Sequence, residues 1–191
     1  KGDKVAICGR NSAHWGVAFL ATLTYGAVAV PILHEFNSEQ IHNIVNHSDA
    51  RILFVGDVVS KSIDAEQMPN IEGIVHLPDF SLLLSRSEKL TYCREHLNEL
   101  FGKKFPRSFR KEDVDYYDND EEELALINYT SGTTGHSKGV MLPYRGLTGN
   151  VEFCIEFIGD KMAVHSNTLS ILPMAHMYGM AIEFLYPIVH G

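Results

Sequence analysis

The sequence predicts an α/β fold, a mostly parallel sheet with helices on both faces. Two observations predict it. Short apolar runs bounded by Gly, Asp or Pro recur along the first 78 residues, each reading as a buried strand. Between them lie segments whose apolar residues fall at helical spacing, and a strand–helix–strand rhythm of this kind builds a parallel sheet.

The elements follow in order. Val5-Ala6-Ile7-Cys8, between Gly2-Asp3 and Gly9, is the first strand. Ser12 can cap a helix carrying Trp15, Phe19, Leu20 and Leu23, and Gly26 supplies its stop. Val28-Ala29-Val30-Pro31 is a second strand, ended by its proline. Ser38-Glu39-Gln40 opens a helix with Ile41, Ile44 and Val45 on one face. Arg51–Gly56 and Gly73–Leu77 are further strands. From Asp79 to Asn119 the pattern weakens, leaving one helix around Glu88–Phe101. Leu124–Tyr129 is again an apolar strand, and Val140-Met141-Leu142 leaves the loop that follows it. A helix over Tyr144–Ile158, a strand over Thr168–Leu172 and an apolar helix over Met180–Val189 complete the pattern. Three parts result: a strand–helix–strand unit over 1–78, a variable charged connector over 79–123, and a loop-bearing unit over 124–191.

Composition narrows the function classes. Across 191 residues, 45% are hydrophobic and 21% charged, the balance of a soluble globular protein. A formal net charge of -8 argues against a nucleic-acid partner, which needs a basic surface. Cys8, Cys93 and Cys154 are odd in number and widely spaced, so reduced thiols in a cytoplasmic setting are expected. His42 and His47 stand five apart, outside the i, i+4 pairing of a helical metal site. The connector carries a basic run, Lys103–Lys111, and an acidic one, Glu112–Glu123. It reads either as a docking site for an anionic partner or as a solvated segment whose halves partly neutralise each other; the composition favours the second.

The chemistry concentrates in Thr130–Gly139, where ten residues hold five hydroxyls, three glycines and Lys138. Small residues let backbone N–H groups turn toward a ligand, hydroxyls add donors, and a lysine adds a point charge for phosphate oxygens. Such a loop suits a polyphosphate. A Walker A loop needs Gly-Lys-Ser/Thr at its end, whereas Ser137 precedes Lys138 and Gly139 follows it. A plain glycine-rich hairpin loop is the structural alternative, though it gives the hydroxyls and the lysine no purpose.

The stretch Tyr129-Thr130-Ser131-Gly132-Thr133-Thr134-Gly135-His136-Ser137-Lys138-Gly139-Val140-Met141-Leu142 resembles the signature of the adenylate-forming superfamily of acyl-CoA synthetases, adenylation domains and luciferases. Gly2–Ile7, Asn11-Ser12, Trp15, Ala18–Ala21 and Gly26–Pro31 resemble that family's early strand–helix–strand unit. Leu172-Pro173-Met174-Ala175-His176-Met177-Tyr178-Gly179 resembles its next motif and is most similar to long-chain fatty-acid–CoA ligases.

The resemblance implies part of a layered N-terminal domain, with the C-terminal domain absent. It implies ATP, magnesium and coenzyme A, and a carboxylic acid activated as acyl-AMP before transfer to the thiol. Thr130, Ser131, Gly132, Thr133, Thr134, Gly135 and Lys138 would hold the β- and γ-phosphates. Thr133 or Thr134 would sit near magnesium, and His176 beside the carboxylate under attack. Met174, Met177 and Tyr178 read equally as acyl-pocket lining and as core. The family's Ser/Thr-His-Arg-Asn-like stretch is replaced here by Pro143-Tyr144-Arg145-Gly146. Its later adenine, ribose and catalytic-lysine motifs are not in this sequence, so the fragment alone is expected to be inactive. Expected partners are small molecules, with peripheral membrane contact of the full-length enzyme and homodimerisation left open. An aryl- or amino-acid-activating domain, and a non-catalytic nucleotide-binding module, are the competing readings.

Overall fold

Seven strands form one sheet in the order β5-β4-β3-β1-β2-β6-β7. The structure is a computed structural model and describes residues 1–130, 137–159 and 167–191. Strands β1 (Lys4–Cys8), β2 (Val28–Ile32), β3 (Ala50–Val55), β4 (Gly73–His76) and β6 (Leu124–Thr130) run parallel. At the two edges, β5 (Leu82–Ser85) and β7 (Lys138–Pro143) are antiparallel to β4 and β6. The mostly parallel α/β prediction stands. Both antiparallel partners follow their neighbours through short connections, which a parallel crossover cannot use.

Helices cover both faces. On one, α2 (Ser38–His47) and α3 (Asp57–Ser60) pack Ile41, Ile44, Val45 and Val59 onto Ala6, Cys8, Val30 and Leu53. On the other, α1 (Ala13–Thr24) lays Trp15, Phe19 and Leu23 onto Ile7, Ala29 and Leu126. Trp15 and Phe19 are fully buried and stacked, with ring centroids 5.2 Å apart. Burying side chains of this size contributes roughly 1.5–3 kcal/mol each, which pins α1 to the sheet.

Local chemistry sets the helix ends. Ser12 Oγ accepts from Trp15 N at 3.1 Å, as its position predicts. The second helix opens at Ser38 as the sequence predicts, and Asn37 caps it. Asn37 accepts from Gln40 N, while Gln40 returns a side-chain oxygen to Asn37 N. Gly26 adopts φ +77, and a Cβ there would meet the Tyr117 ring at 2.6 Å. Only glycine satisfies that backbone and that approach together.

Several expectations are corrected. The second strand does not stop at Pro31 but continues to Ile32, with Pro31 opposite Ile7. Its registered pairing with β6 is confined to Ala29 and Leu126, so the missing N–H falls beyond that ladder. The single helix at 88–101 is two, α4 (Glu88–Glu95) and α5 (Leu97–Lys104), divided where His96 leaves helical geometry at φ -107, ψ 20. The strand expected over Thr168–Leu172 does not form. Leu169 and Ile171 are 78% and 73% exposed, and the N–H groups of Ile171 and Leu172 are satisfied by the Glu183 carboxylate instead of a ladder. The helix α6 (Tyr144–Ile158) has the predicted bounds. The last apolar helix is a π-helical stretch, Gly179–Leu185, continuing into α7 (Tyr186–His190). Among the described residues, no helix is long and apolar enough to cross a membrane.

Candidate functional site

Strand β6 brings the chain to the hydroxyl-rich loop and β7 takes it away. The two strands are registered through Tyr129 opposite Gly139 and Thr130 opposite Lys138. Thr130 and Lys138 therefore face each other at the neck of the loop, both exposed. Of the other predicted phosphate ligands, Ser131, Gly132, Thr133, Thr134 and Gly135 lie outside the described residues. The magnesium assignment to Thr133 and Thr134 falls on the same stretch.

The neck is built to close tolerances. A Cβ on Gly139 would meet Ile127 Cγ2 at 2.9 Å and the Tyr129 ring at 3.1 Å. Substitution must therefore push Tyr129, the last residue before Thr130. Tyr129 is buried, and its hydroxyl lies 2.7 Å from His47 Nδ1 at the end of α2. Burial and the nearby Asp49 carboxylate raise its phenol above the ordinary value, which keeps the O–H intact.

His176 reaches the same end of β6 by another route. Asn128, a polar residue in the buried part of β6 and 7% exposed, donates from Nδ2 to the Ala175 carbonyl at 3.0 Å. Asn11, just past β1, donates to the Leu172 carbonyl at 2.8 Å and accepts from Met174 N at 2.7 Å. Glu183 holds the Ile171 and Leu172 N–H groups at 2.8 and 2.9 Å. These three side chains fix the segment that ends in His176. The imidazole itself is exposed, and its Nδ1 accepts from Tyr178 N at 3.2 Å. In the neutral ring Nε2 then carries the proton, as a donor to an incoming anion.

Asn128 and Glu183 were not singled out from sequence, and Asn11 and His47 were noted there without these roles. Asn128 left a signal there as a polar residue inside a buried strand, and Asn11 as part of the early motif. The three expected acyl-pocket residues divide. Met174 lines a cleft of about 530 Å³ between α1 and the 170–188 segment, with Gly16, Leu20 and Phe184. Met177 packs against the core, and Tyr178 is 56% exposed. A second cavity of about 350 Å³ opens past the ends of β1 and β3, lined by Gly9, Arg10, His34, Gly56 and Asp57. That is where the strand order reverses, the usual ligand crevice of open α/β sheets.

Comparison with known proteins gives a consistent picture. The family described as AMP-binding enzyme matches residues 1–191. Long-chain-fatty-acid–CoA ligase 5 of Rattus norvegicus is 26% identical over 189 residues, covering 94% of this chain and 27% of that ligase. Among solved structures, a long-chain-fatty-acid-CoA ligase (FadD1) from Archaeoglobus fulgidus superposes with a TM-score of 0.73 at 22% identity. It covers 100% of this chain and 34% of its own. ATP-bound MatB from Rhodopseudomonas palustris gives a TM-score of 0.68 at 22% identity, covering 97% of this chain and 33% of its own. At that identity the structural likeness shows the fold. The chain spans about a quarter of the length of the curated relatives it matches.

Proposed function

The chain belongs to the AMP-binding enzyme family, and from that premise we propose that it is the phosphate-gripping part of an ATP-dependent acyl-CoA synthetase. The substrate proposed is a fatty acid, in line with the ligases among its relatives. A carboxylate oxygen attacks the α-phosphorus of ATP, the bond to the bridging oxygen breaks, and pyrophosphate leaves with the electron pair. The thiol of coenzyme A then takes the acyl group and AMP leaves.

The observation that carries this reading is the β6–β7 register, which sets Lys138 opposite Thr130 at the mouth of a loop rich in hydroxyls and glycines. Lys138 supplies positive charge to the terminal phosphates, and the Thr130 hydroxyl adds a donor beside it. Chemistry of this kind depends on positioning and charge stabilisation more than on covalent participation by the protein. His176, with Nε2 protonated, orients the attacking carboxylate by donating to the oxygen that does not attack. Magnesium, when bound, shields phosphate charge. The residues expected to hold it, Thr133 and Thr134, lie outside the described residues.

The test is ATP–pyrophosphate exchange by the intact protein with a panel of fatty, aromatic and amino acids. Fatty acids are expected to drive exchange; exchange driven only by aromatic or amino acids moves the chain to another branch of the superfamily. No exchange with any acid would refute the enzyme reading. Residues 1–191 alone are expected to give none, since they span about a quarter of the relatives' length.

A further inference from the structure

The basic run Lys103–Lys111 meets the acidic run that follows it only where the two join. Among the described residues, one ion pair links the two, Lys111 Nζ to Glu112 Oε1 at 3.9 Å. The Arg110 N–H also donates to Asp113 Oδ2. Parts of the acidic run are tied to other elements, to the end of α1, to α6 and to Lys1. Tyr117 N donates to the Thr24 carbonyl at 2.9 Å, Glu122 pairs with Arg145 at 3.3 Å, and Glu123 with Lys1 at 2.7 Å. Lys103 pairs with Glu99 inside α5, and Lys104 lies 5.3 Å from the centroid of the Phe105 ring. What remains is a positive island on a chain of net charge -8, Lys104, Arg107 and Arg110, in a stretch over residues 103–111 that holds no acid.

Apolar surface lies beside that charge. The helix α5 buries none of its residues. Leu97, Phe101 and Phe109 are 53%, 49% and 50% exposed. The rings of Phe101, Phe105 and Phe109 pack on one another, with centroids 4.9 to 5.5 Å apart, instead of into the core. Exposed aromatic rings interleaved with lysine and arginine suit one kind of surface, where rings enter an apolar layer and cations meet anionic headgroups above it. A nucleic acid would need a basic field wider than this island allows.

We propose that α5 and residues 105–111 form a docking surface for an anionic lipid bilayer. The contact is weak and reversible, since it has one short apolar patch and one basic cluster. Phe101 and Phe109 enter the headgroup layer while Lys104, Arg107 and Arg110 face lipid phosphates and carboxylates.

The experiment is co-sedimentation of the intact protein with phosphatidylcholine vesicles, with and without phosphatidylserine. Trypsin cleavage within 103–111 is followed in parallel. Binding is expected only with phosphatidylserine, with the run cut by trypsin in free protein and protected on those vesicles. Converting Lys104, Arg107 and Arg110 to Gln should lower partitioning about 100-fold, from roughly fivefold per cation near an anionic surface. Phe101→Ser with Phe109→Ser should weaken binding while leaving its charge selectivity. Equal binding to neutral vesicles, undiminished binding by the triple variant, or a run resistant to trypsin without vesicles would each overturn the proposal. The last assigns this face to a contact within the protein. ATP–pyrophosphate exchange without lipid should be unchanged in the triple variant, which separates this surface from the phosphate loop.

Discussion

Replacing Asn128 by Ala or Asp tests how the loop strand and the His176 segment are joined. The Asn128 side chain is 7% exposed and donates at 3.0 Å to the Ala175 carbonyl, one residue before His176. Asn128→Ala removes the donor and leaves that acceptor without its partner on a protein interior. An unsatisfied buried polar group costs about 1–3 kcal/mol, and the removed amide leaves a small void. A loss of about 2 kcal/mol is therefore expected in urea denaturation of the intact protein. Asn128→Asp keeps the shape but sets an oxygen against the carbonyl oxygen, so it should cost more than Ala although it removes less volume. That ordering separates the hydrogen bond from packing. Fatty-acid-dependent exchange should fall in kcat more than ATP binding weakens, because the disturbed segment carries His176 and not Lys138. A loss under about 0.5 kcal/mol, the scale of a surface substitution, or Asp tolerated better than Ala, refutes the reasoning.

Further tests address other parts of the molecule. Lys138→Ala should weaken ATP binding about 10- to 100-fold by calorimetry, the equivalent of one hydrogen bond to a charged group. Gly26→Ala should destabilise the protein by about 1–2 kcal/mol or more in denaturation, since φ is +77 and the Tyr117 ring occupies the Cβ position. Cys8 is buried and its thiol is pushed up to about 12, chiefly by burial and then by Glu35, so alkylation at mildly alkaline pH should label Cys93 and spare Cys8 in the native protein. Asp79 is held down at about 2, first by the Ser81 N–H, then by the Ser81 hydroxyl and by His76. A carboxyl depressed on folding adds stability above its unfolded value, near 3.8, and loses it as pH falls toward 2. Asp79→Asn should therefore flatten the acid limb of the stability profile in that window.

The central elements were legible because their burial is uniform. The residues of β2, and those of β1 after Lys4, are apolar, and α1 and α2 carry caps and periodic apolar faces that admit one interpretation. The edges were less legible. Strand β5, Leu82–Ser85, is half-exposed and pairs on one side only, so its four residues give no period to detect. His96 divides α4 from α5 without a proline or glycine to mark the break. The Thr168–Leu172 segment has a strand's composition, but Glu183 competes for its N–H groups from the chain that follows.

The sequence by itself determined the α/β class and the loop's unusual composition, because both are written in contiguous residues. Apolar runs, helix caps and a lysine among hydroxyls act over a few positions and need no distant partner to be recognised. Only the tertiary structure decided what those residues meet. It set Lys138 opposite Thr130, tied Tyr129 to His47 eighty-two positions earlier, and joined Asn128 to Ala175. It also tied part of the acidic run to Lys1, α1 and α6 and left the basic one in solvent. Contacts of that kind depend on which backbone groups and charges folding brings within a few ångströms, and residue order along the chain does not carry those distances.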